Sequence, residues 1–325
     1  MSINRQPTPS SVRCAPASGR GCCGVLGRPA EGTTMNENSH GLKRLVTTVQ
    51  RRMRMVLLVI LVLWPAAPAR AQTAPPATYM KERVTFRSDN LTLVGVLFKP
   101  EGPGPFPGLI WNHGSERDPN RGQFDAVAAV FVPAGYVVFA PMRRGHGDSE
   151  GSYIQNDLER AGREERKRLQ VRLLEGEQLD DQLAGLAYLK SLPYVDQSRL
   201  AVAGCSYGGI QTLLAAERGA GYKAAVAISP AALSWNGNPL LQDRLILAVR
   251  KIAIPVFLIQ PPKDASLEPS RVLGREFQRL GKPYTGKIYP EDIPGDVQTH
   301  CFGGIRRGSH VWAQDVLAFL MEALR

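Results

Sequence analysis

The sequence predicts an α/β fold over residues 72–325: a mainly parallel, twisted sheet of about eight strands with helices on both faces. Three observations predict it. From Glu82 onward, short apolar and β-branched runs alternate with longer helical ones. Several of the short runs are apolar throughout, as strands covered on both faces are. One of them ends in Gly-Cys-Ser-Tyr-Gly-Gly, residues 204–209, directly before a helical stretch.

The elements follow in chain order. Residues 82–88 (ERVTFRS) and 91–100 (LTLVGVLFKP) alternate as paired strands, with Asp89-Asn90 as their turn. FPGLIWNHG, from Phe106, reads as a strand buried on both faces, and FDAVAAVFVPAG as a helix closed by Gly135. YVVFAP, residues 136–141, is the next strand. Residues 152–174, rich in Arg and Glu, carry the weakest periodicity and read as a charged surface excursion leading into the helix 177–192. The strand 199–204, the helix 207–217 and the strand 224–229 come next. The strand 254–260, the helix 269–281, the strand 285–290 and a closing helix 311–325 complete the series. No internal repeat is present, and no phosphate-cradling Gly-x-x-x-x-Gly-Lys loop.

The net charge of +11 is unevenly placed, with +8 of it in residues 1–71. There QRRMR precedes the apolar run MVLLVILVLW, and small residues end in Ala69-Arg70-Ala71. A positive stretch, about ten apolar residues and an A-x-A ending describe a secretory signal, whereas a membrane span needs about 20 apolar residues. The expectation is a signal core and cleavage region at 55–71, cleavage after Ala71, and a folded domain at 72–325 exported to a periplasm or the outside, without stable membrane insertion. Residues 1–54 form an extension that is either disordered or the product of a start assigned too far upstream of Met35, Met53 or Met55. Nucleic-acid binding would rest on this basic tail alone, and cleavage removes it. Cys14, Cys22 and Cys23 lie in the tail. Cys205 and Cys301 remain and fit no disulfide framework or metal-ligand spacing; two buried free thiols are favoured over a bridge between them, which an oxidising compartment would allow.

A strand that ends in Gly-x-Ser-x-Gly turns so sharply that the serine takes a strained backbone and stands clear of the sheet. Ser206 is that serine. Its hydroxyl needs a base to take its proton and a third group to orient the base. Asp264, in PPKDASLEP after an apolar strand, is the candidate acid, with Asp292 and Asp296 in reserve. His300, in the Gly-rich stretch QTHCFGG, is favoured as base over His310, which would open the closing helix. His146 precedes the serine and reads as a residue shaping the rim. The developing oxyanion would be held by the N–H of Tyr207 and that of Ser115, with Gly114 as the fallback. Asp180 and Asp181 read as a solvated face or a salt-bridged support.

With these residues in view, the chain resembles the α/β-hydrolase superfamily, and within it the dienelactone hydrolase and prolyl oligopeptidase (S9)-type catalytic domains. The pieces that carry the resemblance are IWNHGS, APMRRGHGDSEG, LDDQLAGLAYLKSLPYVDQSRLAVAGCSYGG, KDASLEP, and HCFGG followed by a tryptophan-led helix. They span residues 82–325. Two features depart from the usual pattern: Gln260-Pro261-Pro262 stands where a small residue and Gly are common, and Cys301 follows the base. The resemblance implies an α/β-hydrolase fold and a serine hydrolase that needs no metal or organic cofactor. Its substrates would be small esters, or small peptides in a peptidase or amidase reading; a catalytically silent ligand-binding member is the alternative of another class.

Overall fold

The computed structural model describes residues 79–325. The extension 1–54, the segment 55–71 and the expected cleavage point at Ala71 lie outside the described residues.

Eight strands form one sheet: β1 (Tyr79–Ser88), β2 (Leu91–Pro100), β3 (Phe106–Asn112), β4 (Val137–Met142), β5 (Val195–Cys205), β6 (Ala224–Ile228), β7 (Val256–Gln260) and β8 (Tyr284–Ile288). Their spatial order is β1-β2-β4-β3-β5-β6-β7-β8. β1 and β2 pair antiparallel through a tight turn in which Ser88 faces Leu91 and Asp89 takes a φ of 50°. β2 also runs antiparallel to β4, and every later pairing is parallel. The central strands read as continuous apolar runs because helices cover both their faces: every residue of β4, β6 and β7 is buried.

On one face lie α1 (Gln123–Phe131) and the closing helix α8 (Ile305–Ala323). Their Phe124, Phe131, Trp312 and Val316 pack on Leu109 and Trp111 of β3 and Phe257 of β7. Trp111 and Trp312 stack with ring centres 6.3 Å apart. The opposite face carries α2 (Ile154–Arg160), α3 (Arg163–Glu175), α4 (Glu177–Ser191), α5 (Tyr207–Arg218), α6 (Pro239–Lys251) and α7 (Glu268–Arg279). No helix among the described residues is long and apolar enough to cross a membrane.

Three elements differ from the sequence expectation. The segment 152–174 is not irregular but holds α2 and α3. α3 buries only Gln170 and Leu174 and is laced by the pairs Lys167–Glu164 and Arg168–Glu165, so its buried stripe is too narrow to give an apolar period. α6 was not anticipated as a helix. Its start is marked by Pro239 at the first turn and by Asn238, whose side chain accepts the Leu241 N–H at 3.3 Å. α8 begins six residues earlier than expected, at Ile305. Gly308 sits inside it because a Cβ there would run into the carbonyl of Phe302. His310 therefore lies within this helix rather than opening it, exposed, with Nδ1 on the carbonyl of Arg307.

Candidate active site

β5 ends at Cys205, and α5 starts at Tyr207. Ser206 between them has φ 60° and ψ −119°, a backbone that residues with a Cβ rarely adopt. Close packing enforces the turn. The Ser206 N–H donates to the carbonyl of Ile228 on β6 at 3.0 Å. A Cβ on Gly204 would stand 2.6 Å from the carbonyl oxygens of Asn112 and Gly208, and one on Gly208 would overlap the Asn112 carbonyl outright. The glycines thus let β3, β5 and α5 approach each other where the serine emerges.

Asp264 lies four residues beyond the end of β7, its side chain wholly buried. Its Oδ1 meets His300 Nδ1 at 2.7 Å and also accepts the Ala265 N–H. Its Oδ2 accepts from Gln260 Nε2 at 3.0 Å. Burial opposes the charge on this carboxyl, but hydrogen bonds from His300, Ser229 and Gln260 outweigh it and hold the pKa below the usual aspartate range. The Nδ1–H of His300 is thereby committed to Asp264, which leaves Nε2 as the ring's basic nitrogen. That Nε2 is buried and makes no hydrogen bond among the described residues, Ser206 included. Ser206 and His300 line one cleft of about 330 Å³ together with Gly114, Ser115, Glu116 and Leu233. Asp292 and Asp296 are exposed, and Asp296 faces Arg307 instead of a histidine.

The other wall of the cleft is the stretch 113–116 after β3, and its conformation is imposed from behind. Arg143 Nη1 donates to the His113 carbonyl at 3.0 Å and Nη2 to that of Gly114 at 2.6 Å. The Tyr153 hydroxyl donates to the Ser115 carbonyl at 2.6 Å, and His146 Nδ1 to that of Glu116 at 2.8 Å. Four successive carbonyls are thus drawn toward the 143–153 loop. Because the C=O and the following N–H of a trans peptide point in opposite directions, the N–H groups of Ser115 and Glu116 face the other way. No hydrogen bond from the Ser115 or Tyr207 N–H is found among the described residues.

Arg143 is buried, forms no ion pair with a carboxylate among the described residues, and donates to Gln178 besides the loop. Burial lowers its pKa to about 10, so it stays charged at neutral pH. His113 and His146 are buried beside it, their rings 4.5 Å apart. Burial first, then the Arg143 charge, pulls His113 well below the ordinary histidine value and His146 to about 3. Both are neutral. His113 Nε2 accepts the Arg143 N–H at 3.2 Å, which puts its proton on Nδ1 against the Gly114 carbonyl. His146 is accordingly not a rim residue but an interior support. Asp181 is a buried support too: Arg144 grips it through Nε and Nη2, and Ser88 donates to it at 2.7 Å, whereas Asp180 is exposed.

Cys205 and Cys301 are not free thiols; they form a disulfide, with Cα atoms 6.2 Å apart. The 96-residue separation hides their proximity in the sequence, yet each adjoins a residue that must reach the cleft, which brings both into bonding range. Sequence reading also missed Gln260 and Ser229. Ser229 Oγ accepts the Cys301 N–H at 3.3 Å and its hydroxyl supports Asp264.

The sheet, with its sharp turn at Ser206 between β5 and α5, has the architecture of the α/β-hydrolase fold. Residues 122–236 match the model of the prolyl oligopeptidase family, Peptidase_S9. An uncharacterised peptidase, YtmA of Bacillus subtilis, is 25% identical over 226 residues, 62% of this chain and 80% of that protein. The acylaminoacyl peptidase of Pyrococcus horikoshii superposes with a TM-score of 0.57 at 20% identity, over 76% of this chain but only 42% of its own length. The Pyrococcus furiosus esterase Pf2001 gives a TM-score of 0.57 at 17% identity, over 76% of this chain and 92% of its own.

Proposed function

We propose that this chain is an exported serine hydrolase that cleaves ester bonds of small substrates through an acyl-enzyme on Ser206. The observation that carries the reading is the His300–Asp264 contact, whose free imidazole nitrogen belongs to the cleft that Ser206 lines. Ser206 Oγ attacks the ester carbonyl while His300 Nε2 takes the hydroxyl proton. Asp264 keeps the imidazole in the Nδ1–H tautomer and stabilises the imidazolium that forms. The N–H groups of Tyr207 and Ser115, with Gly114 in reserve, receive the negative charge on the former carbonyl oxygen. Collapse of this intermediate expels the alcohol, which collects the proton from His300. Water, deprotonated by the same Nε2, then attacks the acyl-enzyme, and the acid leaves as Ser206 recovers its proton.

A cleft of about 330 Å³ suits small acyl and alcohol groups. The Cys205–Cys301 bond supports the export reading, since disulfides persist in oxidising compartments. The family match over 122–236 favours a second reading, a peptidase or amidase acting on small peptides by the same steps. Hydrolysis of short p-nitrophenyl esters and of p-nitroanilide peptides by the purified protein separates the two. Ser206→Ala should lower ester kcat by about a thousandfold or more, on the order of 4 kcal/mol of barrier. Turnover unchanged by that substitution refutes the assignment. Failure of wild-type Ser206 to take a fluorophosphonate label would point to a ligand-binding protein that does no chemistry.

A further inference from the structure

The disulfide joins the residue before the nucleophile to the residue after the base. Cys205 ends β5, and Cys301 follows His300 on the stretch that β8 carries, two strands further along the sheet from β5 than β6. Without the bond, the imidazole is tied to the rest of the sheet by non-covalent contacts, chiefly His300 on Asp264, the Cys301 N–H on Ser229 and the Lys263 N–H on the Gln298 carbonyl, while the chain itself returns through β8, the sheet's edge strand. Unfavourable backbone lies beside one end of the bridge and at the other. Ser206 is at φ 60°, and Cys301 and Phe302 have successive φ values of 52° and 58°, a pair of left-handed residues with no glycine between them. Such conformations persist only where surrounding contacts over-determine them. The contacts here include the disulfide, the Cys301 N–H on Ser229, the Gly304 N–H on the Cys301 carbonyl and the Phe302 ring edge-on to Tyr289 at 5.1 Å. Of these, the disulfide alone reaches the nucleophile's own strand.

We propose that Cys205 and Cys301 are positioning residues: their bond holds the His300 imidazole in register with Ser206, and turnover depends on it. The inference rests on the serine-hydrolase reading. Neither sulfur touches the reacting atoms in this scheme; each acts through its neighbour. Opening the bond takes two electrons and two protons from an added dithiol, whose own sulfurs close into a disulfide as the protein gains two thiols. The base would then be held by non-covalent contacts alone, chiefly those of His300 with Asp264 and of the Cys301 N–H with Ser229. A displacement of about 1 Å in a reacting group can cost about a hundredfold in rate.

The test uses the purified protein and a p-nitrophenyl ester. kcat and KM are measured before and after dithiothreitol, with mass spectrometry of alkylated peptides reporting whether Cys205 and Cys301 are open. The Cys205→Ala/Cys301→Ala double variant is measured alongside, with near-UV circular dichroism as the check on folding. The expected result, at a temperature where the protein stays folded, is a fall in kcat of about 10- to 100-fold with KM within about twofold. The rate of fluorophosphonate labelling of Ser206 should fall by the same factor, and oxidised glutathione should restore the reduced wild type but not the double variant. A cysteine-free or fully reduced enzyme that turns over within twofold of the oxidised one overturns the proposal. So does an activity loss that only tracks the unfolded fraction, or a protein isolated in air with both thiols open. Full activity in Ser206→Ala is a separate outcome: it removes the hydrolase reading itself, whatever the cysteines do.

Discussion

At Asp264 one carboxylate gathers four donors, and its identity matters through charge rather than shape. Asp264→Asn keeps the volume but presents an amide where His300 needs an acceptor, which favours the wrong tautomer. Ester kcat near pH 7 should drop by roughly 10³- to 10⁴-fold with little change in KM, measured by steady-state kinetics. The same residue has a stability signature. Its pKa is lower folded than unfolded, so its contribution is present above the unfolded value of about 4 and is lost as pH falls through the folded value. In acid unfolding below about pH 4, Asp264→Asn should lose less stability per pH unit than the wild type. At Gly208 the constraint is steric. Gly208→Ala would drive a methyl into the Asn112 carbonyl and should destabilise the fold by about 2 kcal/mol or more in chemical denaturation. Ser206, His300 and the two glycines are legible in the sequence because a sharp turn and a mobile-looking loop leave local signatures. Gln260, Ser229 and Arg143 are not, because each works through a partner brought near by the fold.

The element that most shapes the cleft is the 143–153 loop, which grips the backbone of 113–116 by its carbonyls. Its dependence on two neutral histidines makes it sensitive to acid. His113 and His146 have folded pKa values below their unfolded value of about 6.5, so above that pH they have no effect. As pH falls below 6.5 the unfolded chain takes up protons that the folded one refuses, and stability falls by about 1.4 kcal/mol per pH unit for each histidine. For His146 this continues toward about pH 3. Urea denaturation from pH 7 to pH 5 should show this slope, and His146→Gln should remove one histidine's share of it. The motif Arg-Gly-His-Gly was visible in the sequence, but its task was not: an imidazole that hydrogen-bonds a carbonyl from inside looks the same in one dimension as one at a rim. Among the helices, those with a broad apolar face were readable. α3 was not, since salt-bridged surface residues carry it more than periodicity does, whereas α6 buries Leu241, Leu245, Ala248 and Val249 at helical spacing, a signal present in the sequence that was not used.

Across the whole molecule, the strand series predicted the sheet and its parallel sense because burial on both faces writes itself as unbroken apolar runs. Strand order, and the meeting of residues 205 and 301, depend on crossovers that no local pattern encodes. The Cys205–Cys301 bond closes a long loop in the unfolded chain, so Cys205→Ala/Cys301→Ala should cost about 2–5 kcal/mol in unfolding free energy, read from denaturant titrations. The first hairpin has a reach that its place at the sheet's edge conceals. Thr92 and Val94 of β2 donate to Glu150 and Ser149, and Ser88 of β1 donates to Asp181, which also secures Arg144. The strands at one margin therefore brace the loop that shapes the distant cleft. A protease nick near Asp89 should therefore lower ester kcat, measured on the nicked protein, while leaving every reacting group in place, and amino-terminal trimming past Tyr79 would reach into the same brace.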